Sequence, residues 1–203
     1  MLRPRYRSAY LCAEARGSRR CAARAGAGTG AGAPQRPPVR RGTALVPAAE
    51  WAALLADSHQ HLTGRPLLPE LASLDAAKDA ERIYDRMSAS ADCILSHDLP
   101  ADSPRFNWAN ARGLAAFEYD LETLVTIESR KSAPDTGTEE ERARLLEAVR
   151  RQGFIDDYCG VRISASGRTF MLNRATVWNV VDTNGELVGQ AAKFHFPDES
   201  CSE

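Results

Sequence analysis

The chain has 203 residues, 43% of them hydrophobic, and its 26 basic and 27 acidic side chains give a formal charge of -1. That length supports one domain with a real core plus an extension, and argues against two full domains. The near-neutral sum hides a split, because ten arginines against one glutamate in residues 1–49 leave 16 basic and 26 acidic residues for 50–203, so the body lacks the basic face that binding nucleic acid directly requires.

Five cysteines, Cys12, Cys21, Cys93, Cys159 and Cys201, contain no C-x-x-C pair and no His/Cys grouping of zinc-site spacing. A reducing compartment fits them, and no metal is expected. No run approaches the roughly 18 to 20 apolar residues that a membrane span needs.

Residues 1–47 read as a disordered N-terminal extension, built of scattered Arg, Ala, Gly and Ser with almost no acid. An arginine-rich, serine-containing, acid-poor leader is the signature of an organelle transit peptide. Pro4 and the Gly-rich part interrupt any sustained amphipathic helix and favour plastid over mitochondrion. A plain solvated tail on a cytoplasmic protein is the alternative. From Ala48 the periodicity becomes helical, with Trp51, Leu54, Leu55, Ser58 and Leu62 on one stripe and Gly64-Arg65-Pro66 ending the helix. A second amphipathic helix is predicted from Leu74 to Ala91, burying Ala77, Ala80, Ile83, Tyr84, Met87 and Ala91.

Cys93 to Leu99 reads as the first strand and Arg105 to Trp108 as the second. Asn110 can cap a short helix burying Ala111, Leu114, Ala115 and Phe117, and Asp120 can start another carrying Leu121, Leu124 and Val125. Thr138 and Glu141 form a capping box for a longer helix that buries Leu145, Leu146 and Val149 and stops at Gly153. Three strands follow from Ile155 to Phe196, joined by turns at Ser166-Gly167 and at Asp182-Thr183-Asn184-Gly185, an antiparallel meander. Residues 198–203 form a tail to a domain spanning 48–197.

Period two places Cys159, Val161 and Ile163 opposite Tyr158, Arg162 and Ser164. In the next strand Phe170, Leu172, Thr176, Trp178 and Val180 alternate with Met171, Ala175, Val177 and Val181. Both faces are apolar, so the outer one needs a cover. The N-terminal helices of the same chain or a second copy in a dimer could supply it.

The order strand, strand, short helices, longer helix, three-stranded meander is that of the PAS fold. The words LSHDLPADSPRFNWANARGLAAFEYDLETL, ERARLLEAVRRQGFIDDYCGVRISASGRTF and ATVWNVVDTNGELVGQAAKF are more specific. They resemble stand-alone, bacterial-type members of the MEKHLA domain family, a PAS-related family also found at the C-terminus of plant class III homeodomain-leucine zipper proteins. The resemblance runs from about Trp51 to Phe196. It implies an α+β fold, a five-stranded antiparallel sheet with helices on one face, here with additional N-terminal helices. The literal Met-Glu-Lys-His-Leu-Ala string is absent, and no homeodomain, zipper or START segment is seen, so the plant transcription-factor role does not transfer.

PAS relatives commonly hold a ligand between helices and sheet. Light-sensing flavin members carry a cysteine in an Asn-Cys-Arg-Phe-Leu-Gln helix, where this chain reads Asn110-Ala111-Arg112-Gly113-Leu114-Ala115. Haem-binding members need an axial histidine, and residues 109–154 contain none. The cofactor is therefore unknown, with neither covalent flavin chemistry nor a His-ligated haem expected. Trp108, Phe117, Phe170 and Trp178 are expected to line either a pocket or the core.

Asp57 and His61 share a helix face while His59 points elsewhere, too few ligands for a metal site. His97-Asp98 reads as a turn hydrogen bond and Asp156-Asp157 as a charged strand entrance. The expected function is a non-enzymatic sensory or protein-interaction module, a homodimer or the partner of another protein, with a small apolar ligand as an option. A small enzyme using His97, Asp98 or Asp156 as acid or base under the curved sheet is the alternative.

Overall fold

A computed structural model of the chain describes residues 36–99, 103–133, 149 and 151–196. Its helix ends follow local chemistry. Helix α1 (Ala48–Thr63) stops where Gly64 takes φ 73 and returns its N–H to the Gln60 carbonyl at 2.9 Å. Helix α2 (Ala80–Ser88) is shorter than the predicted 74–91, and Ala77 and Ala91 are exposed. Asp75 is the reason: its Oδ1 accepts the N–H groups of Ala77 and Lys78 at 3.0 and 3.2 Å, giving those residues a turn in place of a helix.

Strand β3 (Cys93–Asp98) pairs with β4 (Phe106–Ala109), one residue later than predicted. Asn110 then caps α3 (Ala111–Phe117) through Gly113 N–H at 2.9 Å, and Asp120 caps α4 (Leu121–Leu124) through Thr123 N–H at 2.7 Å. The buried residues of α3 are Gly113, Ala116 and Phe117, whereas Ala111 and Ala115, expected inside, are exposed. Asn110 sets that phase. Its Oδ1 also accepts Ile94 N–H, and its amide donates to the Met87 and Asp92 carbonyls, so α3 approaches β3 through Gly113, where an added Cβ would stand 3.3 Å from the Ile94 carbonyl. The predicted capping box at Thr138–Glu141 and the burial of Leu145 and Leu146 lie outside the described residues; Val149 is buried.

The meander is β5 (Phe154–Ile163), β6 (Thr169–Val181) and β7 (Leu187–His195), with Gly167 and Gly185 at positive φ in its two turns. The five strands form one antiparallel sheet in the order β4-β3-β7-β6-β5.

Two β-bulges correct the simple alternation. Asp157 and Arg174 both take positive φ, 59 and 53°, where the β5–β6 register shifts. Each bulge reverses the phase of its strand. Phe170 and Leu172 therefore face the same core as Ala175, while Trp178 and Val180 turn to the opposite face.

The sheet thus divides two cores. On the inner face α3 and α4 cover Cys93, Leu95, Phe106, Leu172, Ala175 and Phe194. On the outer face α1 and α2 cover Ile94, Trp108, Trp178, Val180 and Ala191. The chain's own N-terminal helices, one of the two covers anticipated for the outer face, lie on it.

The expected disordered extension over residues 1–47 lies outside the described residues as far as residue 35, and is corrected at its end. Strands β1 (Val39–Arg41) and β2 (Ala44–Val46) form a hairpin, and Val39 is buried in the outer core. Composition alone missed it because its stability comes from ion pairs with distant acids.

Candidate functional site

The inner face is built differently at its two ends. One end is aromatic: Phe117 meets Phe170 edge-on at 5.1 Å, with Phe194 at 6.4 Å from both and Phe196 stacked edge-on to Phe170 at 5.3 Å. Such edge-to-face packing fills space with apolar rings. The hairpin beyond is tied to α3 by Glu118, whose carboxylate accepts the hydroxyl of Ser164 at 2.7 Å, the Ser166 N–H at 3.2 Å and Arg168 Nε at 2.9 Å. Hydrogen bonds from Ser166 and Ser164, and then Arg168, hold the Glu118 carboxyl down to about 2.

The other end carries a polar row. His97 on β3 is in register with Gln190 on β7, which is in register with Asn179 on β6. Their neighbours fix the facing: Leu95 and Ala192 belong with the inner core, whereas Ser96 bonds Trp51 outside and Trp178 and Val180 lie outside. The Gln190 amide donates to Asn179 Oδ1 at 3.2 Å, and His97 Nδ1 donates to the Asp98 carbonyl at 3.0 Å. Burial, offset in part by the bonds to Asp98 and Gln190, lowers the His97 pKa and keeps the ring neutral. All three side chains are half-buried. Beside them lies a second row of small or aliphatic residues, Leu95, Ala192 and Val177. Sequence reasoning missed this row because Asn179 and Gln190 are ordinary strand residues until the register aligns them.

The four residues expected to share a pocket or core do not come together. Phe117 and Phe170 meet in the inner aromatic cluster, while Trp108 and Trp178 lie in the outer core. The acid–base candidates are equally dispersed. Asp98 faces outward and accepts Arg40 Nε at 2.6 Å. Asp156 holds Arg65 at 2.7 Å and the Thr176 hydroxyl at 2.9 Å, and Asp157 holds Arg174 at 3.0 Å. Two strands separate β3 from β5, about 14 Å at roughly 4.8 Å per strand. His97 and Asp156 therefore do not share one reacting centre.

Asp57 and His61 line a surface groove with Asp182 and Thr183, and His59 points away from it. The His59 ring is buried edge-on to Trp178 at 5.0 Å; its Nδ1–H donates to the Arg65 carbonyl at 3.0 Å, and among the described residues its Nε2 has no partner. Among the described residues no three His, Cys, Asp or Glu side chains converge to hold a metal. Cys93 is buried on the inner face, where burial pushes its thiol up to about 12. A thiol so placed is a poor nucleophile.

A family profile and two curated relatives agree on one relationship. A profile of the MEKHLA domain matches residues 49–196. Homeobox-leucine zipper protein ATHB-9 of Arabidopsis thaliana is 33% identical over 106 residues, 51% of this chain and 12% of its own length. Homeobox-leucine zipper protein HOX29 of Oryza sativa subsp. japonica is 30% identical over 158 residues, 78% of this chain and 17% of its own. The chain thus spans a small part of the length of these relatives. Among solved structures, an RNA-binding Light-Oxygen-Voltage receptor superposes with a TM-score of 0.51 at 13% identity, over 60% of this chain and 34% of that one. The PAS domain of a Colwellia psychrerythraea protein gives a TM-score of 0.48 at 15% identity, over 56% of this chain and 92% of that one. No described helix is long and apolar enough to cross a membrane.

Proposed function

The chain belongs to the MEKHLA domain family, and from that premise we propose that it is a non-enzymatic PAS-like sensory or protein-interaction module whose signal enters at the inner face of the sheet. The observation that carries this reading is the row His97, Gln190 and Asn179 at one end of the inner face, beside the apolar Leu95, Ala192 and Val177. Polar side chains aligned on three adjacent strands orient a small molecule whose body rests on aliphatic neighbours. Here Leu95, Ala192 and Val177 supply the apolar floor. The Gln190–Asn179 bond uses Asn179 Oδ1, and among the described residues nothing takes up the Asn179 amide hydrogens, which remain available to an acceptor on the ligand. The non-enzymatic half is supported by the dispersal of the acid–base candidates, each spent on an ion pair or backbone bond.

Mass spectrometry of the natively purified chain, under non-denaturing and then denaturing conditions, tests it. A released small molecule, lost in Asn179→Leu, is the expected result. An Asn179→Leu chain that carries the same bound mass as the parent would refute the inner-face site.

A second surface favours self-association. Val161 and Met171 are cross-strand partners on the outer face, beyond the N-terminal helices, and are 36% and 48% exposed. We propose them as the contact of a homodimer, since exposed apolar pairs on a sheet gain from being covered. Sedimentation velocity should show a dimer that Met171→Glu dissociates; a parent chain that stays monomeric at every concentration removes this reading.

A further inference from the structure

The β1–β2 hairpin precedes the matched residues 49–196, yet beyond its own strand pairing the bonds of Arg36, Arg40 and Arg41 run to groups inside them. Arg40 is held at three points. Its guanidinium donates to Asp98 Oδ2 at 2.6 Å and to the Phe106 carbonyl at 3.3 Å, and its own carbonyl accepts Asn107 Nδ2 at 2.8 Å. Val39 beside it is 2% exposed. Arg41 donates to Asp182 Oδ2 at 2.6 Å. Arg36 pairs with Glu81 and Asp85 and lies over the Tyr84 ring, 4.2 Å from its centroid. The segment therefore presents a pattern, Arg36-x-x-Val39-Arg40-Arg41, in which one buried apolar anchor is flanked by cations that each meet an acid of the domain.

The receiving side is fixed in advance. Asn107 is oriented by Ser96, whose hydroxyl donates to Asn107 Oδ1 at 2.7 Å while accepting Trp51 Nε1–H at 3.0 Å. Asp182 is oriented by the Asn184 and Glu186 N–H groups at 2.9 and 3.0 Å. The Asp98 side chain is only 4% exposed, and among the described residues its carboxylate accepts, apart from Arg40, one long bond, from Arg105 N–H at 3.4 Å. A carboxylate so shielded is costly without a cation, and the cation comes from outside the matched domain. The arrangement reads side-chain charge, backbone and an apolar anchor together, as peptide-recognition sites do.

We propose that residues 36–46 are a docked intramolecular ligand, an arginine clasp, and that the surface they occupy is a recognition site for a segment of the pattern Arg-x-x-Val-Arg-Arg. While the clasp is seated it ties α2, β3, β4 and the β6–β7 turn together and keeps the site closed to a second such segment. Its release opens the site. This inference does not depend on the inner-face ligand, because every group it uses lies in the outer layer or at the sheet's end.

The test uses the full chain, the full chain carrying Arg40→Gln and Arg41→Gln, and a labelled synthetic peptide of residues 36–47. The substituted chain should bind the peptide at least about tenfold more tightly than the parent, whose own clasp competes, and raising salt from about 0.05 M to about 0.5 M should weaken that binding. A peptide carrying the same two substitutions should not bind. Equal binding by both chains, or no binding by a substituted chain whose circular dichroism is native, overturns the proposal. Should the substituted chain fail to fold, hydrogen exchange on the parent decides. Amides of β1 and β2 should exchange about tenfold faster at the higher salt while those of the β6–β7 ladder are unchanged. If the hairpin amides open only together with that ladder, the segment is part of the core and not a ligand.

Discussion

Burial lowers the His59 pKa from its ordinary 6.5 to about 4; the Arg65 carbonyl opposes that shift, Lys193 and the Arg65 guanidinium add to it, and Asp156 opposes it weakly. The unfolded chain therefore takes up a proton between pH 6.5 and 4 that the folded one refuses, so stability falls across that window as pH drops, by up to roughly 3 kcal/mol. Glu118 acts in a lower window. Its folded carboxyl is depressed from 4.5 to about 2, so its contribution is intact above 4.5 and is lost as pH falls toward 2. Urea unfolding at several pH values should show a steep loss between pH 6.5 and 4 that is flattened in His59→Gln, which keeps a donor for the Arg65 carbonyl. Equal slopes for parent and variant would mean that His59 is not the titrating group. Of these residues the sequence showed only that His59 points away from Asp57 and His61. Its burial depends on Trp178, which lies far along the chain and reaches α1 only because a bulge turns it there. Asn110 lies at the other extreme. Its capping bond was legible because capping is local, whereas its bonds to Ile94, Met87 and Asp92 require the finished fold.

At the scale of elements, the turn residues carried most of the legible information. Gly167 and Gly185 occupy the positive φ that hairpin turns demand, and the meander was readable from them. The bulges were not readable, since Asp157 and Arg174 hold positive φ without the glycine that usually marks it. Gly189 has a different role. It lies between Asp98 of β3 and Val180 of β6, and a Cβ there would stand 2.5 Å from the His97 carbonyl oxygen and 3.4 Å from the Trp51 ring. Neither the β3 backbone nor a buried indole can retreat cheaply. Gly189→Ala should therefore cost about 2–4 kcal/mol. Gly167→Ala, with φ 85 but open space around it, should cost about 1 kcal/mol from backbone strain alone. Chemical denaturation of the two variants separates crowding from strain, and equal losses would remove the close approach of β7 to β3 as a constraint.

At the scale of the whole molecule, one sheet serves two cores, and the aromatic residues are sorted between them. All three tryptophans, Trp51, Trp108 and Trp178, are buried in the outer core, whereas Phe106, Phe117, Phe170, Phe194 and Phe196 pack on the inner side. Indole fluorescence therefore reports the outer layer alone, and far-ultraviolet circular dichroism reports sheet and helices together. The bonds across the outer interface argue that the layers unfold as one. Trp51 donates to Ser96 of β3, Trp178 donates to the Leu55 carbonyl of α1, and the Ser58 hydroxyl both donates to the Val181 carbonyl and accepts the Val181 N–H. Peeling α1 away would also wet the apolar side chains packed beneath it, Ile94, Trp178 and Val180, each worth about 1.5–3 kcal/mol when fully buried, so the outer layer has no inexpensive route to leave alone. The indole and dichroism curves in urea should accordingly coincide, with one midpoint. An indole transition that precedes the dichroism transition would show that the N-terminal layer is a separable unit, and would move the origin of any signal from the inner face to the release of α1 and its hairpin.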